Sequence, residues 1–187
     1  MKNINLRWAT VTVLILMAAA TRLLPHPPNM TAVGAMALFG GAYFSNRFTA
    51  VLMPLVALFL SDLFLNNVVY AAYTGGKFVW FYDGALWIYG SVAAAALIGA
   101  AMLRHVSVKN VVVSSLFCSL LFFIVTNYGV WSSGAMYPKT GAGLAACYTA
   151  ALPFFGNSLV GDLLFSAFCS AVLLGRNGGF QLWYERK

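Results

Sequence analysis

Two carboxylates stand inside otherwise apolar runs of this sequence, Asp62 in Ser61-Asp62-Leu63-Phe64 and Asp162 in Gly161-Asp162-Leu163-Leu164-Phe165. A carboxylate at the centre of a bilayer costs at least about 2.5 kcal/mol on insertion scales, so a residue of this kind faces the bundle interior and meets a partner charge, an ion or a ligand. The counter-charge at hand is Arg22, which is expected to pair with one aspartate or the other. Two roles stay open for this trio, an ion pair that pins the structure and direct contact with a ligand.

Around these charges, Asn29, Asn66, Asn127 and Asn157, with Asn67 beside Asn66, fall at helix ends or in links on one side of the chain's expected topology. An amide both donates and accepts, so converging asparagines can read the edge of a heterocycle, whereas each by itself is more often a helix cap. Trp80, Tyr82, Trp131 and Tyr137 lie in the same region. They are either an interfacial aromatic belt or the stacking wall of a pocket. With Arg22, Asp62 and Asp162 these residues form the candidate substrate-binding set.

Other chemistry finds no footing. His26 and His105 have no second ligand at metal spacing such as HExxH, and Cys118, Cys147 and Cys169 are an odd number without a CxxC pair. No metal, cofactor or catalytic residue is expected. An intramembrane aspartyl protease needs two carboxylates sharing a proton, but Leu159-Val160-Gly161-Asp162 does not meet its Gly-x-Gly-Asp pattern. The chain is read as a non-enzyme.

The elements that must position these residues are membrane helices. Of 187 residues 61% are hydrophobic and 8% charged, with mean hydropathy +0.83, against roughly 25% charged in a soluble domain. The net charge of +7 is scattered between apolar runs, whereas a nucleic-acid binder clusters its basic residues on one face. No linker or charge block divides the chain, so residues 1–187 are read as one transmembrane domain. A spanning helix needs roughly 17 to 25 mostly apolar residues, and charges bound runs of that length. Spans are predicted near 8–24, 31–45, 48–66, 85–103, 110–127 and 153–174, with 141–152 a re-entrant or capping helix. Lys2, Arg7 and Ala18-Ala19-Ala20 imitate a cleavable secretory signal, but the apolar run continues to Leu24 and a retained first span is expected.

With the amino terminus inside, six spans place Lys2, Arg7, Arg47, Arg104, Lys109, Arg176, Arg186 and Lys187 in the cytoplasm and Arg22, Lys77 and Lys139 outside. Eight against three follows the positive-inside rule. The fold class is therefore all-α: an integral membrane bundle of about six transmembrane helices, both termini cytoplasmic, multi-pass in the cell inner membrane and in contact with lipid. Its long links, near 25–30, 67–84 and 128–152, lie outside, and long ordered loops are more often functional. On the fourth helix Ser91, Ala95 and Gly99 repeat every four residues, a smooth face suited to close packing inside the bundle or against another membrane protein.

This pattern, together with Arg22-Leu-Leu-Pro-His-Pro-Pro-Asn29 leading into Gly34-Ala-Met-Ala-Leu-Phe-Gly-Gly41 and Gly156-Asn157 leading into Gly161-Asp162, resembles the substrate-binding S components of energy-coupling-factor (ECF) transporters, or an uncharacterised bacterial membrane family related to them. The resemblance implies capture of a vitamin-like or other heterocyclic small molecule from outside, with a transmembrane coupling protein and two ATPases as partners. No GxxxxGK[ST] loop occurs in this chain, so nucleotide energy would come from another subunit. Many S components carry alanines four apart on the first helix, whereas here that register reads Ala9, Val13, Met17. The competing expectation is a structural or assembly protein without a small ligand.

Overall fold

The computed structural model describes residues 2–24, 27–30, 32–44, 46–104 and 106–175. The sequence readings that concern His26, His105, Arg176, Arg186 and Lys187 lie outside them. All regular structure among the described residues is helical: α1 (Lys2–Thr21), α2 (Val33–Tyr43), α3 (Arg47–Phe64), α4 (Ala85–Met102), α5 (Val108–Ser133) and α6 (Gly141–Gly175), with a π turn (Leu65–Val69) and a 3-10 turn (Ala71–Thr74) after α3.

Among the described residues, four helical stretches are long and apolar enough to cross a membrane: Arg47–Val69, Ala85–Met102, Val108–Ser133 and Gly141–Val172. The second predicted span, 31–45, contains a shorter apolar helix. At 11 residues, α2 is roughly 16 Å long, about half of a hydrocarbon core of about 30 Å. The positively charged Arg47 marks where α3 begins, but the α2 run is shortened from within. Phe44 is already extended (ψ 130°), and the loop through Asn29 and Met30 takes up the residues before it.

The shortest helix is also the most central. Val33 and all residues from Ala35 to Gly41 are buried, and α2 packs against each of the other five α-helices, as expected of a helix that is apolar all round. Its glycines are the reason it can sit there. A Cβ on Gly41 would overlap the Ala96 carbonyl of α4, and one on Gly99 of α4 would overlap the Leu38 carbonyl of α2. The two backbones touch at both points, as small residues allow. The stripe Ser91, Ala95, Gly99 is buried in this contact. Gly99→Val is expected to lower stability by about 1–3 kcal/mol or more through overpacking. Gly90→Ala, which meets open space, should leave it unchanged. Thermal unfolding in detergent reads both, and equal midpoints would refute the close approach.

The predicted break at 141–152 is corrected. Helix α6 runs unbroken for 35 residues through Pro153, because in a bundle neighbouring groups offset the one hydrogen bond that proline removes. Its start is capped by the Thr140 hydroxyl, which accepts from the Gly143 N–H at 3.1 Å. Its first turns lean on α5, where the Tyr148 hydroxyl donates to the Ile124 carbonyl at 2.6 Å. Helix α5 continues to Ser133, where Gly134 (φ 69°) ends it. The long link expected over 128–152 therefore shrinks to the turn 134–140, and the α5–α6 hairpin rises beyond the level at which α1 ends. On α1, Ala18 and Ala19 enter the core while Val13 and Met17 face outward.

Candidate functional site

The site is built where α1 ends and α2 begins. Arg22, just past α1, places its Nη1 2.7 Å from Asp62 Oδ1 and donates to the Ser61 hydroxyl. The Tyr89 hydroxyl of α4 donates to the other Asp62 oxygen at 2.8 Å. Both oxygens of Asp62 are thus engaged, and its side chain is nearly inaccessible (3%) against 15% for Arg22. This ion pair ties α1 to α3, and Tyr89 adds α4. Between the two partners open to Arg22 the structure selects Asp62.

Asp162 meets other groups. The α2 amino terminus has no side-chain cap from its own Ala32. The Asp162 carboxylate of α6 reaches across and accepts from the N–H groups of Gly34 and Ala35, and from the Ser119 hydroxyl of α5 at 2.6 Å. A negative group at a helix amino terminus meets both the unpaired N–H donors and the positive end of the macrodipole. Gly34 permits the approach, because a Cβ there would overlap the Asp162 carboxylate. One aspartate from a distant helix therefore performs the capping that usually comes from the preceding residue.

Between these two networks lies a cavity of about 130 Å³ lined by Arg22, Asn29, Val33, Gly34, Leu58, Tyr82, Ile88, Phe122, Ser158 and Asp162. Leu58, Phe122 and Asp162 lie 11, 14 and 13 residues from the Arg47, Val108 and Gly175 ends of their helices, or roughly 17–21 Å along each axis. The cavity is deep in the bundle, at the start of a half-length helix. One wall is a loop pinned by α6. Asn157 donates to the Pro28 carbonyl and Ser158 to the Asn29 carbonyl, both at 3.0 Å. Asn29 itself is left-handed (φ 63°), a conformation that asparagine tolerates better than most residues. Tyr82 closes another wall. Burial, with the Asp62 charge adding and Arg22 opposing, pushes its phenol up to about 12, so it remains a neutral hydrogen-bond donor at ordinary pH.

Of the residues singled out in the sequence, Arg22, Asn29, Tyr82 and Asp162 line the cavity, Asp62 holds Arg22 behind it, and Asn157 positions the loop. The rest lie elsewhere. Asn66 is in the π turn with its buried amide nitrogen unpartnered. Asn127 bonds back to Phe123 of its own helix. Trp80 is 62% exposed and packs edge-on to Phe78. Trp131 donates to the Pro138 carbonyl, holding the α5–α6 turn in which Tyr137 lies. Asn67, one of the amides noted in the sequence, clamps the link between α3 and α4 by bonding both the N–H and the carbonyl of Val79.

Sequence reasoning missed Ser61, Tyr89, Ser119 and Ser158. Each is a hydroxyl on an apolar helix, and nothing in its local pattern separates it from an ordinary packing residue. Among the described residues no cluster of three potential ligands can hold a metal ion. No curated protein and no solved structure matches the chain. One family does match, over residues 2–177, and the chain belongs to it: DUF6580, a family of unknown function.

Proposed function

We propose that this chain is a membrane transport protein that captures a small solute from the outer face, in the manner of an ECF-type S component. The observation that carries this reading is the cavity itself, which brings Arg22 and Asp162 together at the amino terminus of a half-length helix. Discontinuous helices whose dipole ends reach the membrane midplane are a recurring way to build solute sites in transporters. In this reading both termini are cytoplasmic, the membrane is the inner one, Arg22, Asn29, Tyr82 and the α5–α6 turn face outward, and a coupling protein with two ATPases supplies energy.

The dimensions narrow the solute. Drug-sized ligands occupy roughly 300–1,000 Å³, while about 130 Å³ equals the liquid volume of about four waters. A compact polar solute fits as the cavity stands, and a vitamin-sized ring requires the 27–30 loop to move outward. Arg22 is offset by Asp62, so Asp162 leaves one formal negative charge at the wall. That favours a solute bearing an ammonium or another donor group, with Tyr82 and Asn29 completing its hydrogen bonds.

One observation favours a second reading, an assembly protein without a solute: the carboxylates of Asp62 and Asp162 already have partners within the chain. Separate partner sets also speak against a proton shared between them, as a protease would need. Native mass spectrometry of the full chain extracted in mild detergent separates the first two readings. Bound solute is expected on the wild-type protein and is expected to be lost on Ile88→Phe, which fills the cavity from an apolar wall. Repeated absence of any bound mass, or its retention by that variant, would overturn the capture reading.

A further inference from the structure

Inward from Asp162, the contact between α5 and α6 is lined with hydroxyls that nothing among the described residues satisfies. The Ser119–Asp162 bond sets the antiparallel register of the two helices, and one turn further along each stand Ser115 and Ser166. Ser170 continues the row on α6, and Ser114 sits beside Ser115 on α5. Ser114, Ser115 and Ser166 are at most 1% exposed, and the hydroxyl oxygens of all four serines are buried without a hydrogen-bond partner. From Asp162 to Ser170 is about 12 Å along α6, and from Ser170 to the helix end at Gly175 about 8 Å.

A serine on a membrane helix ordinarily bonds the carbonyl one turn back, as Ser119 does to Ser115 at 3.0 Å. Three hydroxyls in one row that do not, Ser115, Ser166 and Ser170, leading to a buried carboxylate, are not explained by small-residue packing. Each unsatisfied buried hydroxyl is costly, and buried water is the usual partner of such groups.

We infer that Ser115, Ser166 and Ser170 form a hydrated seam through which Asp162 exchanges a proton with the inner side of the membrane, inner being the Val108 and Gly175 ends in the topology proposed above. Ser119 is the switch at its head, because its one hydrogen has two acceptors, Asp162 Oδ2 at 2.6 Å and the Ser115 carbonyl. When Asp162 is ionised, Ser119 donates to it. When Asp162 is protonated, its O–H donates to Ser119, whose hydrogen turns to the Ser115 carbonyl. On release, the proton passes from the carboxyl to water beside Ser115 and Ser166 and on to the inner solution. The remaining carboxylate is held by the Gly34 and Ala35 N–H groups and Ser119. The titratable groups around it are Cys118 on α5, Cys169 on α6, and, at the cavity, Arg22, Asp62, Tyr82 and Tyr89. Arg22, Asp62 and Tyr89 are bonded to one another.

The test follows the Asp162 proton and uses no solute, so its outcome is separate from that of the capture reading. The full chain is reconstituted in liposomes of known orientation. Protonation of the carboxyl is followed by infrared spectroscopy, the band being assigned by its loss in Asp162→Asn. After a pH drop confined to the inner side by impermeant buffer, Ser115→Val/Ser166→Val is expected to slow protonation by about tenfold or more, as losing hydroxyl–water bonds along the path raises its barrier. Ser115→Thr/Ser166→Thr, equal in size but retaining the hydroxyls, should stay near the wild-type rate. If the paired valine variant does not fold, Ser170→Val at the half-buried inner end carries the same expectation. Equal rates in the valine and threonine variants, or no protonation of the wild-type carboxyl after a pH drop confined to the inner side, would overturn the inference.

Discussion

Asp62→Ala is expected to cost the folded protein about 3–5 kcal/mol, the loss typical of a buried ion pair broken on one side. The pair is well below the exposure at which solvent screening makes a salt bridge negligible. Removing the carboxylate leaves the Arg22 guanidinium in a low-dielectric wall with only the Ser61 hydroxyl, and deprives Tyr89 of its acceptor. The attachment of α1 to α3 and α4 at this level is lost together with the charge. Arg22→Met/Asp62→Leu should recover most of the stability, because well-packed apolar replacements of buried ion pairs are often neutral or stabilising. If the wall serves capture, the same double variant should lose the solute. Unfolding midpoints in detergent check the first expectation. A single variant within about 1 kcal/mol of wild type would mean that the pair is screened like a surface one.

Asp162→Ala is expected to act at α2 rather than throughout the bundle. Two backbone N–H donors and one hydroxyl lose a charged acceptor, each such bond contributing about 1.5–3 kcal/mol, and the two N–H bonds are the cap of the helix. Relaxation and water offset part of this, leaving a destabilisation of about 3 kcal/mol. Asp162→Asn keeps an acceptor oxygen and should lose less. Hydrogen exchange of the full chain, read by mass spectrometry, should show amides near Gly34 and Ala35 losing protection in the alanine variant while the middle of α4 is unaffected. Unchanged protection at α2 would show that the carboxylate is not its cap.

These two aspartates show how far the sequence reaches. Both were conspicuous because an ionised group in an apolar run is expensive wherever the chain folds. Their partners were not legible. Choosing between Asp62 and Asp162 for Arg22 depends on how α1 and α3 are rotated about their axes, and no single sequence carries that. Recognising Asp162 as a cap requires knowing that α2 starts deep in the bundle, opposite α6. The hydroxyls of Tyr89 and Ser119 gain meaning only from those placements. Trp80 and Trp131 show the converse: suitable chemistry in the expected region, with side chains turned to the surface or to a turn. An aromatic ring suits a membrane interface and a pocket equally.

By itself the sequence determined what composition and period can express: a helical membrane protein whose charges mark most helix boundaries, with a small set of costly groups near Arg22 and Asp162. Tertiary structure decided that α2 is a short, buried, central helix, because its glycines admit α4 to backbone contact and its amino terminus is capped from α6. It also decided that α6 passes through Pro153, because α5 supports the turns beyond it. Both outcomes depend on contacts between residues far apart in the chain, and local propensity is too weak to foretell them.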